Sequence, residues 1–475
     1  MSQHRSVESI ESHITLQMLK CVLELTRTPR EFENFALPSL IAGSIVLMSF
    51  VRPMPFAYEY GYLCFRILVF SLNTCLIEYG HNLDFILGRM YNGPEGTHLS
   101  FFWEGAADFI AGELSTVIHE KRLTHILNPG PQRLPLLERP MLDKLLKVLH
   151  ADRKNFLVVL MSADSLQLSG LMFVLWKYLE IEERTQGKSD FTQNLFLPYC
   201  RIFRRYRLLF SETNHETELT RLIYDRVSRI SGIQDKDIID IEDSRNVIRA
   251  YNRSMGSSQR ISCNDAIHYM GFVAPLFIPG CQDLVPSMVK STFQMLWKTW
   301  PKSHIENSMA VIQAYGVCFW NLCIEHLQPM SLYSKPENWR FELVDAIMES
   351  DFLELTFRVA LQLSESQAHG MERARPLVNK FFEEMISFWE ATVLYTPKDY
   401  FERRLIESGV IAMWFKCFVD FNERLCARAS SSTQGIILPF SMIFSRAVTA
   451  VLGSKWRDMQ SDFQATGTLY EYSVL

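Results

Sequence analysis

Met348-Glu349-Ser350-Asp351-Phe352-Leu353-Glu354-Leu355-Thr356-Phe357-Arg358-Val359-Ala360 is the stretch on which the reading of this chain turns. Two more stretches, Leu137–Leu149 and Ile406–Phe418, share its pattern. Each opens with an apolar residue followed by Glu (Glu138, Glu349, Glu407). An apolar pair comes next (Met141-Leu142, Phe352-Leu353, Val410-Ile411), then a basic residue (Lys147, Arg358, Lys416) and two further apolar side chains. Apolar positions four, eleven and twelve residues beyond the first share one face of an α-helix. A short helix of this kind leaves its apolar face wet when alone, so its recurrence implies stacking on neighbours. In two copies Ser350 and Ser408 stand where an N-cap would accept from free amides, and in the third Pro140 suits a first helical turn.

Outward from these copies, helical periodicity covers almost the whole chain, and no strand alternation is evident. Helices are expected at about 6–25, 57–78, 99–127, 153–184, 192–211, 216–230, 236–253, 283–299, 305–327, 337–368, 373–395, 399–427 and 437–459. Asn128-Pro129-Gly130-Pro131 halts one of them, because Pro lacks an amide donor and Gly takes positive φ. Softer loops at Asn252–Ser262 and Ala427–Gly435 are candidate boundaries. The first divides the chain into halves, 1–253 and 254–475, which are expected to be either two helical-repeat halves or one continuous domain.

Two segments resemble armadillo repeats of the armadillo/HEAT superfamily. Ile406-Glu407-Ser408-Gly409-Val410-Ile411 is similar to the start of the second helix, where a Gly allows a sharp turn. Ala314-Tyr315-Gly316-Val317-Cys318-Phe319-Trp320-Asn321-Leu322-Cys323 resembles the third helix. The resemblance implies an all-α, right-handed α-solenoid of armadillo-like helical repeats. It also implies that Asn321 lines a groove and hydrogen-bonds the backbone of a bound peptide. Importin-type members carry Trp four residues before that Asn; this chain has Val317 there, so no nuclear-localisation-signal binding follows.

A hydrophobic fraction of 48% and a charged fraction of 21% exclude disorder as the main state. Net charge is only −5 over 475 residues, so no global field draws the chain to nucleic acid or anionic lipid. The ten cysteines fall mostly within apolar helical runs, which reads as reduced, buried thiols. Three apolar runs invite a membrane reading: Leu37–Val51, Gly61–Ile77 and Phe156–Leu179. The first is short, the second is interrupted by Arg66, and the third holds Asp164 and several serines, so buried core helices are expected instead.

Signatures of catalysis are missing or incomplete. His119-Glu120 is followed by His125, at the wrong spacing for a zinc-binding helix face. Cys318, Cys323 and His326 do not supply four converging ligands. Asp235, Asp237, Asp240 and Asp243 lack the Gly and Glu of a calcium loop and read as a solvated helix start. Ser287-Met288-Val289-Lys290 is too short a hydrolase pattern to count alone, and Ser473-Val474-Leu475 has only the form of a PDZ ligand. No phosphate loop, nucleophile elbow or dinucleotide fingerprint occurs. No cofactor or metal is therefore expected.

Charge is most concentrated at Arg201, Arg204, Arg205 and Arg207. Helical spacing sets the first three on one side, opposite Ile202, Phe203, Tyr206, Leu209 and Phe210. That side is either a solvated face or an anion-binding strip for an acidic partner or phosphate. The expected function is a non-enzymatic scaffold in the cytoplasm or nucleus, binding another polypeptide through Asn321, Arg201, Arg204 and Arg205, without nucleic acid or membrane. A helical enzyme without a readable motif, or a membrane-associated helical protein, is the alternative.

Overall fold

The structure, a computed structural model, describes residues 13–92, 97–115, 135–162, 167–209, 239–256, 263–299, 337–352 and 375–409, with short pieces between them. Every regular element among the described residues is helical. The chain forms two compact units, Met1–Asp237 and Ile238–Leu475. A single helix, Ile241–Gly256, runs through position 253/254.

The first unit contains α1 (Leu16–Leu25), α2 (Pro38–Phe50), α3 (Glu59–Tyr79), α4 (Leu83–Tyr91) and α5 (His98–Leu114). It continues with α6 (Arg139–Ala151), α7 (Arg153–Ser162), α8 (Ser169–Glu182) and α9 (Leu197–Arg207). Its hub is α3, because that sequence is apolar on every side and can be satisfied only by neighbours all round. Leu63–Ile77 are buried except Arg66, and α1, α2, α4, α5 and α8 pack against the helix. By length and composition α3 could cross a membrane, but 83% of its most apolar window is buried inside the protein. The apolar run Phe156–Leu179 falls on two helices, α7 and α8. A helix sheathed as α3 is forms the centre of the first unit's core.

Aromatic rings fill the space around the hub. Phe70 meets Phe32, Phe35 and Trp103 edge-on and stacks on Phe102 at 4.9 Å. Phe56, Phe65 and Phe156 form a second cluster where the turn Pro55–Ala57 enters α3. Each such ring contributes about 1.5–3 kcal/mol by leaving water. Two buried polar side chains set the register of the packing. Asn73 of α3 donates to the Val69 carbonyl and accepts from the Gly170 amide at 3.1 Å, supplying a partner to a free amide at the start of α8. Asp152, between α6 and α7, accepts from the Phe56 amide at 2.7 Å and from Asn155 at 2.8 Å.

The second unit contains α10 (Ile241–Gly256), α11 (Cys263–Val273), α12 (Val285–Thr299), α13 (Asn338–Glu349), α14 (Arg375–Tyr395) and α15 (Lys398–Glu407). Here the packing is serial: α10 lies on α12, α12 on α13, and α13 on α15. Each joint is fastened by polar groups as well as apolar ones. Tyr251 and Thr292 share a 2.7 Å hydroxyl contact between α10 and α12. At the next joint Trp297 donates to the Ser350 carbonyl at 2.8 Å, and Lys290 pairs with Glu349. At the last, Asp345 accepts from Tyr400 and from Arg404 Nε at 2.8 Å. Phe352 stacks on Phe293 at 4.0 Å and meets Phe388 and Trp389, tying α12 to α14.

The copy at Leu137 lies along α6, with Pro140 in its first turn and Leu142, Leu145, Leu146 and Leu149 buried. The copy at Met348 begins on the end of α13, crosses a turn and is helical again at its described residues, with Phe352, Leu355 and Val359 buried. The copy at Ile406 begins on the end of α15, and its residues 410–418 lie outside the described residues. Ser350 and Ser408 close α13 and α15, donating their hydroxyls to the Ile347 and Leu405 carbonyls, so they act as C-caps and not as N-caps. The reason is the residue that follows: Asp351 has φ +48° and Gly409 has φ +67°, the left-handed conformation that ends a helix. Trp414 and Phe357 lie outside the described residues. Asp351 carries a Cβ in a conformation that favours Gly, so Asp351→Gly is expected to raise stability by about 0.5–1 kcal/mol. A urea midpoint unchanged or lowered by the substitution would remove this reading of the turn.

Candidate functional site

The arginine-rich helix α9 is entered through a π-helical turn, Thr192–Phe196, with Pro198 in its first turn. It packs against α6 and α7, and these three helices bring their basic residues together. Arg201 Nη1 lies 3.3 Å from His150 Nε2 at the end of α6. A guanidinium only donates, so this imidazole nitrogen accepts and the ring proton sits on Nδ1. Arg153, which opens α7, donates from Nη1 to the His150 carbonyl at 3.4 Å, and Lys154 follows it. Lys147, one turn before His150, pairs with Asp143 at 2.6 Å.

The four arginines do not form one exposed face. Arg201 and Arg204 are half-buried on adjacent turns, whereas Arg205 is 0% exposed and Arg207 is 5% exposed. Arg205 Nη1 donates to the Arg201 carbonyl at 3.2 Å, and Arg207 lies over the Tyr224 ring at 4.1 Å. The expected solvated strip of Arg201, Arg204 and Arg205 is therefore corrected. Arg205 is a core side chain that no partner can touch directly, and its burial comes from α9 being covered on nearly all sides. Ile202, Phe203 and Tyr206 are buried as expected. Asn321 lies outside the described residues.

Asp143 pairs with Lys147 at the surface, whereas Asp152 faces inward. Asp152 is 1% exposed, and its oxygens are taken up by Phe56 and Asn155. Burial raises its carboxyl pKa above the ordinary carboxylate value, although the Phe56 and Asn155 donors pull the other way. Toward solvent lies a run of partly exposed basic side chains: the cations Lys147, Arg153, Lys154, Arg201 and Arg204, with the His150 imidazole accepting from Arg201. Such a run can hold carboxylates or phosphates by charge-assisted hydrogen bonds. Sequence reading found the arginines but missed His150, Arg153 and Lys154, since only the packing of α6 and α7 on α9 brings them close.

The other near-miss motifs have ordinary structural roles where they are described. Asp240 caps α10 by accepting from the Asp243 amide at 2.8 Å. Ser287 donates to the Leu284 carbonyl, and Lys290 is paired with Glu349, so these two side chains are not a nucleophile and its base. His119, His125, Cys323, His326 and the C-terminal residues lie outside the described residues. Cys64, Cys75, Cys200 and Cys281 are free and buried, and burial pushes the Cys64 and Cys75 thiols up to about 12. No group of three His, Cys, Asp or Glu side chains able to hold a metal occurs among the described residues. Comparison with known proteins gives no matching family model, no matching curated protein and no matching solved structure.

Proposed function

We propose that this chain is a non-enzymatic interaction protein that binds another polypeptide through an acidic segment of that partner. The observation that carries the reading is the meeting of three helices at His150, which accepts from Arg201 on its ring and from Arg153 on its carbonyl, with Lys154 beside Arg153 in sequence and Arg204 one turn from Arg201. Carboxylates of the partner complement this strip, and net charge −5 on the whole chain keeps the attraction local. Serial packing of α10, α12, α13 and α15 supports the finer reading of the second unit as an armadillo-like solenoid segment acting as scaffold.

Charge reversal tests the proposal. Arg201→Glu with Arg204→Glu is expected to reduce recovery of a stoichiometric polypeptide partner from native lysate at least about tenfold, corresponding to about 1.4 kcal/mol. Both side chains are partly exposed, so the melting temperature is expected to stay within a few degrees. Recovery unaffected by the reversal, or no stoichiometric partner of the unaltered chain, would overturn the reading.

A further inference from the structure

Lysine and arginine keep their charge across the neutral range, whereas an imidazole ordinarily titrates near pH ~6.5. His150 is therefore the member of the basic surface whose charge can change. Its Nε2 accepts from Arg201 Nη1 at 3.3 Å, which only the neutral ring can do. A proton on Nε2 removes that acceptor and sets an imidazolium against a guanidinium, and the two repel. Helices α2, α7, α8 and α9 pack on α6. Among the described residues, α9 brings Arg201, Arg204 and the buried Arg205, and α7 brings Arg153 and Lys154. The charges of α8 lie in other pairs: Lys177 with Glu180, and Glu182 with Arg139 at the far end of α6. No charged residue occurs on α2. On α6 itself stand Lys144, Lys147 and Asp143, the last two paired together, and Asp152 beyond it is buried against Phe56 and Asn155. One influence favours the charged ring: His150 lies in the last turn of α6, where the helix-end carbonyls attract a cation.

We infer that an acidic segment binds this surface together with a proton, which His150 takes from solvent onto Nε2 while Arg201 turns from the imidazole to a carboxylate of the segment. The inference rests on the reading of this surface given above. In the free chain the neutral ring engages Arg201 Nη1. Once protonated, the ring is a further cation and that guanidinium nitrogen is released, so two charge-assisted donors face the partner in place of one internal contact. A carboxylate between the two groups offsets their repulsion, which is why the proton and the segment bind together. By linkage, affinity rises as pH falls through the imidazole range, where the partner's glutamates are still ionised.

Isothermal titration calorimetry of the full chain at low salt tests this, with a synthetic peptide alternating Glu and Gly as the probe and buffers of different ionisation heat. Affinity is expected to rise about three- to tenfold between about pH 8 and about pH 6, with net proton uptake on binding. His150→Gln keeps an oxygen for Arg201 but cannot titrate. Whatever its affinity at the higher pH, this variant is expected to show a flat pH dependence and no proton uptake. Binding by the unaltered chain that is indifferent to pH, or proton uptake that persists in His150→Gln, would overturn the inference and leave the acidic-segment reading standing. A peptide that binds at neither pH would overturn that reading and this inference with it.

Discussion

Gly170→Ala is expected to destabilise the first unit by about 2–4 kcal/mol, although Ala is the better helix former by about 1 kcal/mol. A Cβ at this position would lie 2.6 Å from Asn73 Oδ1, 2.9 Å from its Cγ and 3.0 Å from Leu76 Cδ1. Asn73 and Leu76 are both 0% exposed on the hub helix, so neither side chain has open space to move into. Displacing Asn73 also breaks its hydrogen bond with the Gly170 amide and leaves two buried polar groups to find partners. Asn73→Ala alone is expected to cost about 1–3 kcal/mol through that orphaned amide. Because both substitutions break one contact, the double variant should lose less than the sum of the two. Denaturant unfolding of the four proteins measures this. Additive losses would mean that α3 and α8 do not meet through Asn73.

Asp152→Ala is expected to lower stability by about 1–3 kcal/mol at neutral pH, and Asp152→Asn by much less. The carboxylate accepts from the Phe56 amide, and Phe56 is only 6% exposed, so Ala leaves that amide buried without its partner. Asn keeps an oxygen for Phe56, and a flip of Asn155 accommodates the new amide group. The pH dependence has a definite sign. Burial raises the folded-state pKa of Asp152 above the ordinary value of 3.8, so the native state binds this proton more readily than the unfolded chain. The resulting contribution to stability is complete below that ordinary value and is lost as pH rises through the folded-state value. Relative to Asp152→Asn, the unaltered chain should therefore become less stable as pH rises through this mildly acidic window. Equal losses for Ala and Asn, or a pH slope of opposite sign, would contradict the role assigned to this carboxyl.

Helical character was legible from periodicity alone because the 3.6-residue repeat of Leu142, Leu145, Leu146 and Leu149 has one physical solution. The buried state of α3 was legible too, since Arg66 interrupts its apolar run. Turn geometry was less legible. Ser350 followed by Asp351 reads equally as an N-cap or as a C-cap, and only the positive φ at Asp351 and Gly409 decides between them. The same degeneracy made one pattern out of a continuous helix at α6 and, at Met348, a helix end, a turn and the start of the next helical stretch. Helical spacing assigned Arg205 to the face of Arg201 and Arg204, but spacing carries no information about how much of a helix is covered. The contribution of His150 depends on a contact across 51 residues to Arg201, which no local window contains.

On the proposed function, this molecule works by presenting a basic surface to another chain. Native mass spectrometry of the full chain purified from its own cells at low micromolar concentration tests it most directly. The account predicts the 55.2 kDa chain together with a different polypeptide in fixed ratio, dissociating as ionic strength rises before the spray. A spectrum holding only the bare chain, or a complex indifferent to salt and to Arg201→Glu with Arg204→Glu, would contradict it.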